Sequence, residues 1–212
     1  MKNTKLLVLS IIVASSVIGF LAYPNFPDMV ASHWDQNGNV NGYMPKFWGT
    51  FLMPIISLIM FGFFLLIPKI DPLKTNIESF RKYYDGFIVS MFLFLFYIHI
   101  LTIVWNLGHI FNMSQFMAPA LGILFYSSGV MIGNTKRNWF IGIKTPWTVT
   151  SDVVWDKTHK LGAKLFKIAG LLSLLGMVFP SAAIWLVLIP VSVFSVYLIF
   201  YSYLEYQKEI KK

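Results

Sequence analysis

Long apolar stretches alternate with shorter polar ones along the whole chain. Residues 6–22, 47–67, 84–105 and 116–132 form four apolar runs, each close to the roughly 20 residues that a helix needs to cross hydrocarbon. A fifth stretch, residues 168–204, carries no charge and is too long for one crossing. The Pro180-Ser181 pair marks a turn that divides it. The part before that turn yields only about 18 Å of helix, short of a hydrocarbon core near 30 Å. The fifth helix must therefore start earlier, around residues 151–161. Lys157, Lys160, Lys164 and Lys167 then recur at a spacing that gathers them on one helix face, where their long stems can reach the membrane surface. The pattern predicts an all-α polytopic membrane protein with six transmembrane helices. Its division is an N-terminal three-helix half, residues 1–105, and a C-terminal three-helix half, residues 106–212.

Two polar segments stand out between the runs. Residues 23–46 contain Pro24 and Pro27, which end the first helix, and two Asn-Gly turn pairs, Asn37-Gly38 and Asn41-Gly42. They also place an imidazole, an indole and a carboxylate side by side in His33-Trp34-Asp35. A compact, turn-rich loop is the expectation. Residues 133–160 mix Trp139, Phe140, Ile141, Trp147 and Trp155 with Lys136, Arg137, Lys144, Lys157 and Lys160. Aromatic rings among cations suit a headgroup layer, apolar at one end and wet at the other. Thr150 or Ser151 followed by Asp152 supplies a cap and an early anion for a helix continuing through residue 167. Residues 134–150 then read as a fixed, hairpin-like platform that buries Trp139, Phe140, Ile141 and Trp147 in lipid or protein.

Charge fixes an orientation. Of the 17 Lys and Arg residues, all but Lys46 fall in the N-terminus, the second–third connection, the fourth–fifth connection with its helical extension, and the C-terminal tail. Such alternation places both termini in the cytoplasm, the loop 23–46 outside and the segment 133–160 inside. The net charge of +8 then reflects cytoplasmic cations facing the anionic lipid bilayer rather than direct nucleic acid binding. Residues 6–22 read as a retained helix, since Phe20 occupies the position three residues before a cut after Ala22, where a signal peptide needs a small side chain. An apolar fraction of 57% with mean hydropathy +0.66 excludes an ordinary soluble domain. The absence of cysteine excludes thiolate chemistry and disulfides.

Candidate chemistry is sparse. His33 and Asp35, joined by His109 on the same side, could attract a divalent metal; an ordered loop using these groups for its own hydrogen bonds is the favoured alternative, so no metal or other cofactor is expected. His99 lies inside the third run, where an ionisable residue is a functional candidate. A neutral imidazole bonded to a neighbouring helix fits equally well. No carboxylate lies deep in a run, which disfavours a proton-coupled pump. No HExxH, GxSxG, P-loop or GxGxxG pattern occurs, which argues against an enzyme. A small transporter or channel, with a polar path through His99, Asn106, Ser127, Ser128 and Ser173, stays open as an alternative. So does a membrane-embedded metal-dependent enzyme built on His33, Asp35 and His109.

The strings NTKRNWFIGIKTPWT and VWDKTHKLG in residues 134–162 resemble the signature of the SdpI-like immunity protein family. The first loop, YPNFPDMVASHWDQNGNVNGYMPK, resembles the N-terminal domain that often precedes that signature. The resemblance implies a multi-pass protein of the bacterial cytoplasmic membrane that protects its producer from a secreted toxin peptide. It also implies a second partner, a cytoplasmic transcriptional repressor held at the membrane when toxin is present. By motif position, the toxin-facing candidates are His33, Trp34, Asp35, Gly38, Gly42 and Lys46. The partner-facing candidates are Asn134, Asn138, Gly142, Lys144, Thr145, Pro146, Trp147, Thr148, Trp155, Thr158 and His159. Lys144 stands where arginine is frequent in the family, and a lysine gives up bidentate pairing there.

Overall fold

A computed structural model describes residues 2–211. Six long helices form an up-and-down bundle: α1 (Lys2–Ala22), α2 (Lys46–Ile70), α4 (Arg81–Asn106), α5 (Met113–Ile132), α7 (Asp152–Leu174) and α8 (Ala183–Ile210). Between them lie a β-hairpin of β1 (Met29–Trp34) and β2 (Val40–Pro45), the short helix α3 (Lys74–Ser79), and the one-turn helix α6 (Pro146–Thr150). The helix ends follow local sequence. Asn112 caps α5 by accepting the Gln115 N–H, and Ser151 caps α7 by accepting the Val154 N–H, with Asp152 in the first turn. Thr145 and Thr148 form a reciprocal capping box on α6, with Pro146 at its first position. Between α7 and α8 two 3-10 turns replace regular helix, and Pro180 opens the second of them.

Polar groups inside the bundle are few and are used to tie helices together. Tyr84 Oη donates to the Phe64 carbonyl at 2.9 Å, joining α4 to α2. The Ser90 and Ser127 hydroxyls meet at 2.8 Å between α4 and α5. His99, fully buried, donates from Nε2 to the Ser15 carbonyl of α1 at 3.2 Å. The closest helix pair is α5 with α7: a Cβ on Gly170 would lie 2.5 Å from the Gly122 carbonyl oxygen, and one on Gly122 would lie 2.6 Å from that of Gly170. No side chain larger than hydrogen fits at either position, and the two backbones meet as small-residue seams do in membranes. In the largest apolar cluster, Val8, Phe61, Phe80, Tyr84 and Phe92 pack with Ile77 of α3, Met131 of α5 and Ile141.

Three expectations meet the structure in part. Among the described residues five helices are long and apolar enough to cross a membrane by length and composition; α7, which carries Lys157, Lys160, Lys164 and Lys167, is not one of them. The fold is mostly helical but not wholly so, since residues 29–45 form an antiparallel hairpin with register shifts around His33. Residues 134–150 contain no strand pairing; successive turns and α6 build the platform instead. The continuous helix anticipated over residues 151–167 is present and runs on to Leu174.

Candidate functional site

The hairpin crowns one end of the bundle and is clamped there by side chains from the α4–α5 connection. Asn106 acts as a surrogate strand: its Oδ1 accepts the Ala31 N–H at 2.8 Å, and its Nδ2 donates to the Ala31 carbonyl at 3.0 Å. Asn112 Nδ2 donates to the Asn37 carbonyl, and Ser114 Oγ donates to the Asp35 carbonyl. An amide that pairs with both backbone groups of one residue closes that edge of β1 as a neighbouring strand would. Val30, 1% exposed, points inward against Gly49 of α2, where no Cβ could be accommodated.

Within the hairpin the anticipated residues take distinct places. Asp35 makes an Asx-type turn, its Oδ1 accepting the Asn37 and Asn39 N–H groups at 2.8 and 2.9 Å. Those backbone donors, Asn39 first, hold its carboxyl below the usual carboxylate range against the opposing effect of desolvation. Gly38 turns the chain at φ +82°, packed on Asn112. The exposed His33 pairs through Nδ1 with the Asn41 amide, and Gly42 lies directly across from it. Trp34 meets Trp105 edge-on at 5.6 Å, and both indole N–H groups are buried without a partner. Lys46 opens α2 with its ammonium 4.8 Å above the Tyr23 ring. His33, Asp35 and the exposed His109 do not converge; among the described residues no three His, Cys, Asp or Glu side chains are grouped to hold a metal.

Beneath the hairpin a cavity of about 330 Å³ opens between β1 and the adjoining ends of α2, α4, α5 and α8. Met53, Met113 and Met117 line it together with Trp34. Sequence reasoning missed the residues that frame it, Ser114, Met113 and Met117, although Asn112 and Ser114 stand together as a cap signal in a short connection free of lysine and arginine.

The signature segment lies at the opposite end and is organised inward. Asn138, 1% exposed, accepts the Phe140 and Ile141 N–H groups on Oδ1 and donates from Nδ2 to the Lys136 and Ile141 carbonyls. Trp155, fully buried, donates from its indole to the Thr135 carbonyl and stacks on His159 with centroids 3.8 Å apart. His159 uses both ring nitrogens: Nδ1 donates to the Trp155 carbonyl at 2.8 Å, and Nε2 accepts the Ile143 N–H at 2.9 Å. Those roles fix a neutral imidazole and its tautomer. Gly142, at φ +121°, brings its backbone so close to His159 that a Cβ would lie 2.4 Å from Nε2. Thr145 and Thr148 are buried, and the Thr145 hydroxyl meets that of Ser202 on α8.

The remaining motif residues lie nearer the surface. Asn134 is exposed and donates back to the Val130 carbonyl. Pro146 and Lys144 are exposed, and Trp147 is half-buried with its ring 5.1 Å from that of Tyr203. Trp139 and Phe140, 52% and 41% exposed, face outward rather than into the protein. Thr158 is fully buried with its hydroxyl unpartnered. The segment is also tied sideways. Asp71 accepts the Trp139 N–H, Asn76 donates to the Arg137 carbonyl, Arg137 pairs with Asp152 at 2.7 Å, and Lys157 reaches Glu205 on α8 at 2.6 Å.

Comparison with known proteins matches these two ends separately. Residues 134–203 match the SdpI/YfhL protein family, and residues 10–58 match a domain of unknown function, DUF1648. Across 165 residues the chain is 22% identical to the immunity protein SdpI of Bacillus subtilis strain 168, covering 77% of each chain. No solved structure matches. The signature segment folds as one hydrogen-bonded unit with the hairpin domain ahead of it, the two matches fall in that order, and among the described residues five helices are long and apolar enough to cross a membrane, so the chain resembles an SdpI-like immunity family.

Proposed function

We propose that this protein sits in the bacterial cytoplasmic membrane with six crossings and both termini inside, and protects its producer by binding a secreted toxin peptide at the hairpin end. It acts by holding the peptide, not by cleaving it. The single observation that carries the reading is the similarity to an immunity protein over 77% of both chains. The cation distribution supports the orientation, with the hairpin outside. In this topology α7 is the sixth crossing, its lysines reaching the inner surface and its Ala169, Gly170 and Ser173 face packed on α5. The signature segment then faces the cytoplasm. There its exposed Lys144, and a polar cleft of about 430 Å³ rimmed by Lys136, Asp156 and Lys160, offer a surface for a transcriptional repressor.

Deletion in the native host followed by challenge with the host's own culture supernatant tests the proposal. Killing of the deletion strain, reversed by the intact gene, supports immunity, and equal survival overturns it. Recovery of cleaved peptide after incubation with purified protein overturns the binding mechanism. Topology is read separately in this cysteine-free chain: a cysteine at Asn39 should react with a membrane-impermeant thiol reagent on whole cells, and one at Asn76 should not.

A further inference from the structure

The cavity under the hairpin draws on both matched segments and on the α4 and α5 residues between them. Trp34 and Met53 belong to the first match, Ile184 and Val187 to the second, and Ile98, Met113 and Met117 to neither. The groove between α4 and α5 and the cleft beside Lys160 are each built from one region. Its volume of about 330 Å³ stands at the small end of ligand pockets, enough for a few large side chains but not for a folded partner. Its floor is apolar, and its methionine side chains are unbranched and adapt to varied shapes.

Two features choose among occupants. No lysine or arginine lines the cavity, while Asp35 stands at its rim. A phospholipid phosphate would find no counter-charge there and would face a carboxylate. An apolar segment with neutral or cationic flanks meets no such opposition. The lining is the second feature: Ile98, Leu121, Ile184 and Val187 join the three methionines, so an occupant must bring apolar side chains.

We propose that this cavity seats apolar anchor side chains of a secreted, neutral-to-cationic peptide. The proposal rests on the reading above that the hairpin end faces outward and meets a peptide. Binding then concentrates in a few buried anchors, as at protein interfaces generally.

The test uses the full chain in native membranes carrying a diazirine analogue of methionine, with the peptide fraction of the host's culture supernatant as probe. Irradiation expels dinitrogen, and the resulting carbene inserts into whatever lies beside it. Met53, Met113 and Met117 report on the cavity, and Met44 and Met60 lie outside its lining. Peptide-derived mass on fragments holding the cavity methionines, and not on those holding the other two, is the expected result. Leu121→Trp, which fills the cavity, should cut that adduct at least about tenfold, which corresponds to roughly 1.4 kcal/mol of affinity. Ile184→Phe serves if the first variant melts below the parent.

Adducts with phospholipid alone, adducts within the chain alone, or peptide adducts confined to Met44 and Met60 overturn the proposal. Peptide adducts in the cavity of a strain whose deletion mutant survives challenge would leave the cavity assignment standing and remove the immunity reading. A sensitive deletion strain with no cavity adduct would do the reverse.

Discussion

The hairpin and the signature segment carry equally dense motifs, and they use them in opposite ways. In the signature segment, Asn138, Thr148, Trp155 and His159 are all at most 2% exposed, and the side chains bond to carbonyls and amides of the same segment. Its polar chemistry, the Thr158 hydroxyl apart, is consumed in holding one backbone path. In the hairpin, the clamp comes from outside through Asn106, Asn112 and Ser114. Underneath is a cavity, and the Trp34 donor is left over. A motif that recurs as a unit can therefore mark a self-supporting scaffold, whereas the place for a ligand lies where two segments fail to close completely.

The sharpest way to break this comparison is to truncate one tryptophan at each end. Trp155→Ala removes a fully buried ring together with its stacking on His159 and should cost about 3–5 kcal/mol, read as a large fall in melting temperature. Trp34→Ala should cost clearly less, because that ring is only partly buried and borders a cavity. Equal losses would erase the distinction. Gly142→Ala comes next. The left-handed φ and the approach to His159 should make it destabilising by about 1–3 kcal/mol, and replacing His159 in addition should recover only the steric part.

Asn106→Ala should act locally. It strips both Ala31 backbone groups of their partner, worth about 1–3 kcal/mol for groups left buried and unpaired. Amide exchange should rise through residues 29–45 while the helices keep their protection. A global melt would mean the hairpin is part of one cooperative unit with the bundle. The smallest effect is that of pH on the turn. The Asp35 carboxyl titrates lower when folded than when unfolded, so its contribution is complete above the ordinary carboxylate range and is lost as pH falls through the depressed folded value. Exchange of the Asn37 and Asn39 amides should quicken below about pH 4, and Asp35→Asn should abolish that dependence.

Much of this was legible in the residues and some was not, for definite reasons. The apolar runs located the helices to within a few residues, since lipid demands continuous apolar length whatever the tertiary contacts. Ser151 and Asp152 announced the start of α7 because a cap is a local device. The strands went unseen: β1 is flanked by α2 on one side and Asn106 on the other, so Val30 and Ala31 are both buried and the alternation that marks a strand is broken. Trp155 and Trp139 look alike among neighbouring cations, yet one is fully buried and the other half-exposed. What separates them is an acceptor twenty residues away, the Thr135 carbonyl, which no local pattern reports. The cavity, assembled from five elements, has no local signature at all.

The α5–α7 seam has a mechanical consequence. With the Gly122 and Gly170 carbonyls each blocking growth of the other helix, and Gly129 wedged equally against Ala163 and Lys167, the two helices cannot slide or rotate past one another without separating. A substitution that lifts one helix off this seam must therefore shift the other, and α4, joined to α5 through the Ser90–Ser127 hydroxyl contact, lies next in line.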